Sequence, residues 1–180
     1  MAYVVAALVV TNVLTLLNAL LLFGVIRRLR EQGTRQSTLS APSARRDLVP
    51  AGSLVDDFAT VDTDGLPLRR DELPDGVVVA FFSPGCEPCD VLLPHFFAYA
   101  KSLPNGPDRA LAVVSGTPDE TVEAVARLSR VARVVVEPPA GGPMAKAFRV
   151  TGYPAVFQLD GAGRVLTSDV TLDRLPVATA

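Results

Sequence analysis

The chain opens on a largely apolar run, with no charged residue from Ala2 to Ile26. As a helix rising about 1.5 Å per residue this run reaches about 37 Å, enough to cross a hydrocarbon core of about 30 Å with some tilt. A cleaved leader would need a basic start, a shorter apolar core and a small-residue cleavage site, none of which stands out. The pattern therefore predicts a retained membrane anchor over residues 1–27. Thr11, Thr15 and Asn18 share one face of it. That face either hydrogen-bonds to another membrane helix or is simply tolerated within one. From Arg27 the periodicity fades into Arg, Ser, Gln, Pro and Gly, which predicts a linker over 28–52.

Beyond the linker, over 53–180, apolar runs of strand length alternate with segments of helical period. Phe58 to Arg69 reads as two short strands about an Asp64-Gly65 turn, where glycine supplies the positive φ. Val77–Phe82 is continuously apolar and rich in β-branched residues, as in a strand buried on both faces, and it stops at Ser83-Pro84-Gly85. A helix is expected from about Cys86 to Leu103, interrupted at Pro94. Leu111–Ser115 and Arg133–Val136 are further strands. Between them Thr117-Pro118-Asp119-Glu120 starts a helix, continued by Val122, Val125, Ala126 and Ser129. A short helix over Gly142–Arg149 precedes a closing hairpin, Ala155–Leu159 and Arg164–Leu166 about Asp160–Gly163. Strands alternating with helices and closing on a hairpin predict an α/β sheet with an antiparallel edge.

Composition narrows the function classes. The 180 residues carry 17 Lys+Arg against 19 Asp+Glu, a formal charge of −2, so there is no global basic field to neutralise nucleic-acid phosphates. Two cysteines and one histidine are too few for a disulfide scaffold or a complete soft-metal site. The placement of the cysteines is the informative feature.

Cys86-Glu87-Pro88-Cys89 is a C-x-x-C directly after a buried strand and at the opening of a helix. Free N–H groups and the dipole at a helix N-terminus favour an anion, so Cys86 is suited to be the attacking thiolate. Cys89, one turn in, is placed to resolve the mixed disulfide. Half of a zinc site is the competing reading, but there is no second cysteine pair and His95 lies on the same helix. Gly152-Tyr153-Pro154 stands just before a strand, where the X-Pro bond is either an ordinary turn or a cis device beside the sulfurs.

The strand Val77–Phe82, the motif Ser83-Pro-Gly-Cys-Glu-Pro-Cys89, Leu93-Pro94, and Val150-Thr-Gly-Tyr-Pro-Ala-Val-Phe157 with Asp160-Gly161 together resemble the thioredoxin superfamily over about residues 50–170. The N-terminal anchor, the hairpin from Phe58, and the 65 positions from Cys89 to Pro154 are similar to its membrane-anchored TlpA-type branch. Nearest within it are the thioredoxin-like accessory proteins of methylamine dehydrogenase and cytochrome c maturation. The strand and helix near 111–131 match that branch's central insertion. The resemblance implies a thioredoxin-like mixed sheet flanked by helices, behind one transmembrane helix. It further implies a thiol-disulfide oxidoreductase with Cys86 and Cys89 catalytic and Tyr153 and Pro154 in the substrate groove, without metal or other cofactor. Its partners would be a protein dithiol or disulfide and a membrane-embedded or soluble reductant. Gly85 stands where the family usually places an aromatic, and Leu92 where many TlpA-type reductases place an acid. Glu87 and Asp90 read either as helix-start acids or as proton-transfer groups, and they oppose the thiolate.

Two rivals share these residues. A peroxiredoxin-like peroxidase would use Ser83, three residues before Cys86, as its peroxide-binding hydroxyl, although Val79 stands where that family has proline. A non-enzymatic copper-handling membrane subunit would need a further soft ligand, and Met144 is the candidate. Orientation is contested as well. Arg27, Arg28, Arg30 and Arg35 against Glu31 favour a cytoplasmic domain by the positive-inside rule. The TlpA-type resemblance implies an extracytoplasmic one, and the expectation adopted is a single-pass membrane protein with its domain extracytoplasmic.

Overall fold

A computed structural model describes residues 3–5, 12, 14–16, 48–104 and 106–173. The chain divides into two compact units, Met1–Leu39 and Ser40–Ala180. In the first unit the described residues are helical. Among the described residues no helix is long and apolar enough to cross a membrane. Most of the anchor expected over 1–27, and the linker as far as residue 47, lie outside the described residues. Leu48 and Val49, which fall in the expected linker, are buried in the core of the second unit.

That unit runs β1 (Ala59–Val61), β2 (Pro67–Arg69), β3 (Val78–Phe82), α1 (Glu87–Ser102), β4 (Ala110–Ser115), α2 (Pro118–Leu128), β5 (Arg133–Glu137), α3 (Pro143–Ala147), β6 (Ala155–Leu159) and β7 (Val165–Asp169). The last five strands form one mixed sheet in the order β5-β4-β3-β6-β7. β3, β4 and β5 are parallel, β6 runs antiparallel to β3, and β7 runs antiparallel to β6 and so in the direction of β3. Every residue of β3 is buried, as its continuous apolar run predicts for the central strand. No helix follows β7 among the described residues.

Alternation along β3 sorts the core into two faces. Val79 and Phe81 point with Leu111, Val113, Val135 and Met144 to one side. There Phe81, Phe148 and Phe157 pack in tilted and edge-to-face pairs at 5.0–5.8 Å. Val78, Ala80 and Phe82 point to the other side, where α1 contributes Cys89, Leu92, Leu93, Phe96 and Ala100 and α2 contributes Leu128.

Two helices differ in detail from the sequence reading. α1 is one 16-residue helix that continues through Pro94 rather than breaking there. Pro94 is solvent-exposed, so one hydrogen bond is lost on the wet side, while four apolar side chains hold the opposite side on the sheet. In α2 the expected capping box forms between Thr117 and Glu120, but the inward face is Thr121, Ala124, Val125 and Leu128, with Val122 exposed. Thr121 can face inward because its hydroxyl donates to the carbonyls of Thr117 and Pro118, both at 3.1 Å. Reading apolar types alone rotates the helix away from it.

The β1–β2 hairpin turns at Asp62–Leu66. Asp62 Oδ1 accepts the N–H groups of Asp64 and Leu66 at 3.1 and 2.8 Å, and Gly65 takes φ +77°. The hairpin then reaches β5. Thr63 N–H donates to the Val134 carbonyl at 2.8 Å. Arg133 Nε and Nη2 donate to Asp62 Oδ2 at 3.0 and 2.8 Å. At the far side of the sheet Gly52 N–H donates to the Val165 carbonyl and Val165 N–H to that of Ser53.

Candidate redox site

β3 delivers the chain to Ser83 at the carboxyl end of the parallel strands, where the backbone turns sharply. Gly85 adopts φ +72°, a region that side-chain-bearing residues rarely occupy. Cys86 N–H donates to the Ser83 carbonyl at 3.3 Å, closing the turn. Cys86 is then the N-cap of α1, with its carbonyl accepting the N–H groups of Cys89 and Asp90 at 2.9 and 3.1 Å. Its Sγ accepts from Cys89 N–H at 3.2 Å, the role a serine or aspartate oxygen plays at other helix starts. The same N–H and the helix dipole stabilise negative charge on that sulfur once the disulfide is open.

A disulfide joins Cys86 to Cys89 with the Cα atoms 5.2 Å apart. Burial distinguishes the two sulfurs' owners: Cys86 is half-buried, whereas Cys89 is 2% exposed within the cluster under α1. Such a pair can open, present one sulfur outward, and close again from within.

The second predicted element comes to the same end of the sheet. Phe81 pairs with Ala155 across β3 and β6, so Pro154, one residue before Ala155, stands at the end of β6 where β3 gives way to the motif loop. The Tyr153-Pro154 bond is cis and Pro154 is buried. Tyr153 is half-buried and packs against both core clusters, including the one that holds Cys89 and is flanked by Cys86.

The remaining candidates separate. Glu87, Asp90 and His95 are exposed, while Leu92 is buried under α1. Ser83 is half-buried and meets Cys86 through its carbonyl. Met144 is fully buried on the sheet face opposite Cys89, so the soft ligand considered for copper is not beside the sulfurs. Among the described residues, no group of three or more His, Cys, Asp or Glu side chains is arranged to hold a metal ion.

Two supporting residues escaped the sequence reading. A Cβ on Gly116 would lie 3.2 Å from Pro84 and 2.9 Å from Thr121 Cγ2, so the β4–α2 turn presses its bare backbone onto the motif loop. A glycine at the end of a buried strand was the available signal. Glu137 is 2% exposed, and its carboxylate accepts the N–H groups of Gly142, Met144 and Ala145 at 3.2, 2.6 and 3.0 Å. It thereby satisfies the start of α3, the element that carries the chain toward Tyr153. The expected strand Arg133–Val136 ends one residue short of it.

No family model matches the chain, and no curated protein matches its sequence. Solved structures do. The thioredoxin domain of a thiol-disulfide oxidoreductase from Bacteroides vulgatus superposes with a TM-score of 0.59 at 16% identity, covering 71% of this chain and 93% of that one. A thio-disulfide isomerase from Thermus thermophilus gives 0.54 at 22%, covering 67% and 85%. A thiol:disulfide interchange protein of the thioredoxin family from Chlorobium tepidum gives 0.53 at 20%, covering 68% and 88%. The unit that carries Cys86, Cys89 and Pro154 therefore has the thioredoxin fold.

Proposed function

We propose that the protein is a membrane-tethered thiol-disulfide oxidoreductase that exchanges disulfides with partner proteins through Cys86 and Cys89. One observation carries this reading: a C-x-x-C disulfide at a helix N-cap, its first cysteine half-buried and its second buried. In the reductive direction the Cys86 thiolate attacks a partner disulfide and one partner sulfur leaves as a thiolate. Cys89, deprotonated, then attacks Cys86 Sγ, releasing the second partner thiolate and leaving the Cys86–Cys89 disulfide. Two electrons pass to the partner. The reverse sequence oxidises a partner dithiol, and the potential of the pair against the partner pool sets the direction.

The TlpA-type resemblance and the uncharged run Ala2–Ile26 support tethering, with the domain placed outside the cytoplasm. Insulin reduction by the full chain in detergent, with dithiothreitol as electron source, tests the activity. Wild type should accelerate precipitation of the insulin B chain and Cys86→Ser should not, whereas equal rates for the two would end this reading. A membrane-impermeant maleimide applied to intact, pre-reduced cells should label Cys86. Labelling only after lysis would place the domain inside.

A further inference from the structure

The charge around the cysteine pair is one-sided. β3 and β4 are parallel with Phe82 opposite Val114, so the two chains leave the sheet side by side at the same end. Gly116 approaches Pro84 so closely that the β4–α2 turn abuts the motif loop. α1 and α2 start there and lie on the same sheet face, where the Arg127 guanidinium of α2 stands 5.8 Å from the Phe97 ring centre of α1. Their first turns carry Glu87 and Asp90, and Asp119 and Glu120. No Lys or Arg occurs between Arg70 and Lys101, between Arg109 and Arg127, or between Arg149 and Arg164, the three stretches that meet at this end. The bases of both helices, Lys101 and Arg127, lie in their last turns.

The four carboxylates are not neutralised locally. Glu87, Asp90 and Asp119 are exposed and enter none of the ion pairs found among the described residues. Glu120 accepts the N–H and hydroxyl of Thr117 at 3.0 and 2.8 Å, which holds its carboxyl below the usual range and keeps it charged. Two helix N-termini supply about half a positive charge each, well short of four negative ones. A charged mouth of one sign raises the local concentration of counter-charged reactants and repels like-charged ones.

Resting on the disulfide-exchange reading above, we propose that this acidic rim selects its partners by charge, so that the preferred substrate is a disulfide or dithiol set among basic residues. In the reaction with a small disulfide the Cys86 thiolate displaces one thiolate, and Cys89 displaces the second while closing the protein disulfide. The protein is oxidised by two electrons and the small disulfide is reduced to two thiols.

The test uses the reduced full chain in detergent at pH 7 and three small disulfides: cystamine, a dication; 2-hydroxyethyl disulfide, neutral; and dithiodiglycolate, a dianion. Each rate is divided by that of free mercaptoethanol with the same disulfide, which removes differences in leaving group. At low ionic strength the normalised rates should fall in the order cation, neutral, anion, spanning about tenfold or more. At about 1 M salt, where the screening length is about 3 Å, the span should collapse. Glu87→Gln/Asp90→Asn/Asp119→Asn should collapse it at low salt too, and Asp119→Asn alone, outside the cysteine helix, should shrink it. Equal normalised rates at low salt, or a faster anion, would overturn charge selection while leaving disulfide exchange intact. Failure of all three disulfides to react would overturn the exchange reading and this one together.

Discussion

Phe81 faces Ala155 across the antiparallel β3–β6 pair, and this single rung places two segments far apart in sequence at one end of the sheet. One residue beyond Phe81 begins the descent to Cys86, and one residue before Ala155 is Pro154. The cysteine pair and the proline segment are thus brought to one place by backbone pairing between two fully buried strands.

Attack should be ordered. Cys89→Ser leaves Cys86 able to attack but nothing to resolve the product, so it should accumulate a mixed disulfide with client proteins, seen on non-reducing gels. Cys86→Ser should accumulate little, because Cys89 is buried. The opposite pattern would reverse the two roles.

Removing the buried carboxylate that starts α3 should be costly. Glu137→Ala strands three N–H groups, and a loss of roughly 2–4 kcal/mol is expected from the usual penalty for buried unpaired donors. Urea unfolding measures it. Amide exchange at Met144 and Ala145 should quicken by more than the global change if Glu137 acts as the local cap.

Gly116→Val should disturb the motif loop and the sheet together. The added Cβ meets Pro84 and Thr121 at 3.2 and 2.9 Å, within ranges that force something to shift. Overpacking of this kind costs about 1–3 kcal/mol. Insulin reduction should fall along with the urea midpoint, whereas an unchanged rate would show that the contact does not hold the cysteine loop in place.

The Asp62–Arg133 pair should make stability depend on acidity. Burial opposes ionisation of Asp62, but the Arg133 hydrogen bonds and charge, with the N–H groups of Leu66 and Asp64, outweigh it and hold the carboxyl below its usual range. The unfolded chain therefore takes up a proton first, near pH 4, and the contribution present above that pH is lost as pH falls through the lower folded value. Asp62→Asn should destabilise the protein at pH 7 by roughly 1–3 kcal/mol and by less at pH 3. An equal loss at both pH values would remove the ionised pair as its cause.

Much of this was legible from one strand and two short motifs. The unbroken run at Val77–Phe82 marks the centre of the sheet because only a strand covered on both faces needs apolar residues at every position. The cysteines and Tyr153-Pro154 could be named because their local context, strand then helix and turn then strand, is written in consecutive residues. Gly116 and Glu137 were missed for the converse reason. Their significance lies in contacts with Pro84 and with the N–H groups of α3 that only the folded chain creates. Pro94 misled because its cost is local, whereas the packing of α1 that outweighs it is tertiary.

At each margin of the five-stranded sheet another part of the same chain hydrogen-bonds to one end of the outer strand. The β1–β2 hairpin lies against the start of β5 through Thr63 and Asp62, and Gly52–Val55 pairs with Gly163–Val165 at the start of β7. An unguarded margin offers its N–H and C=O groups to any extended peptide, including another copy of the protein or an unfolded client. Here strand addition at those ends must first displace a segment already hydrogen-bonded in place. Pairing along the full length of either margin is thereby opposed at its first rung.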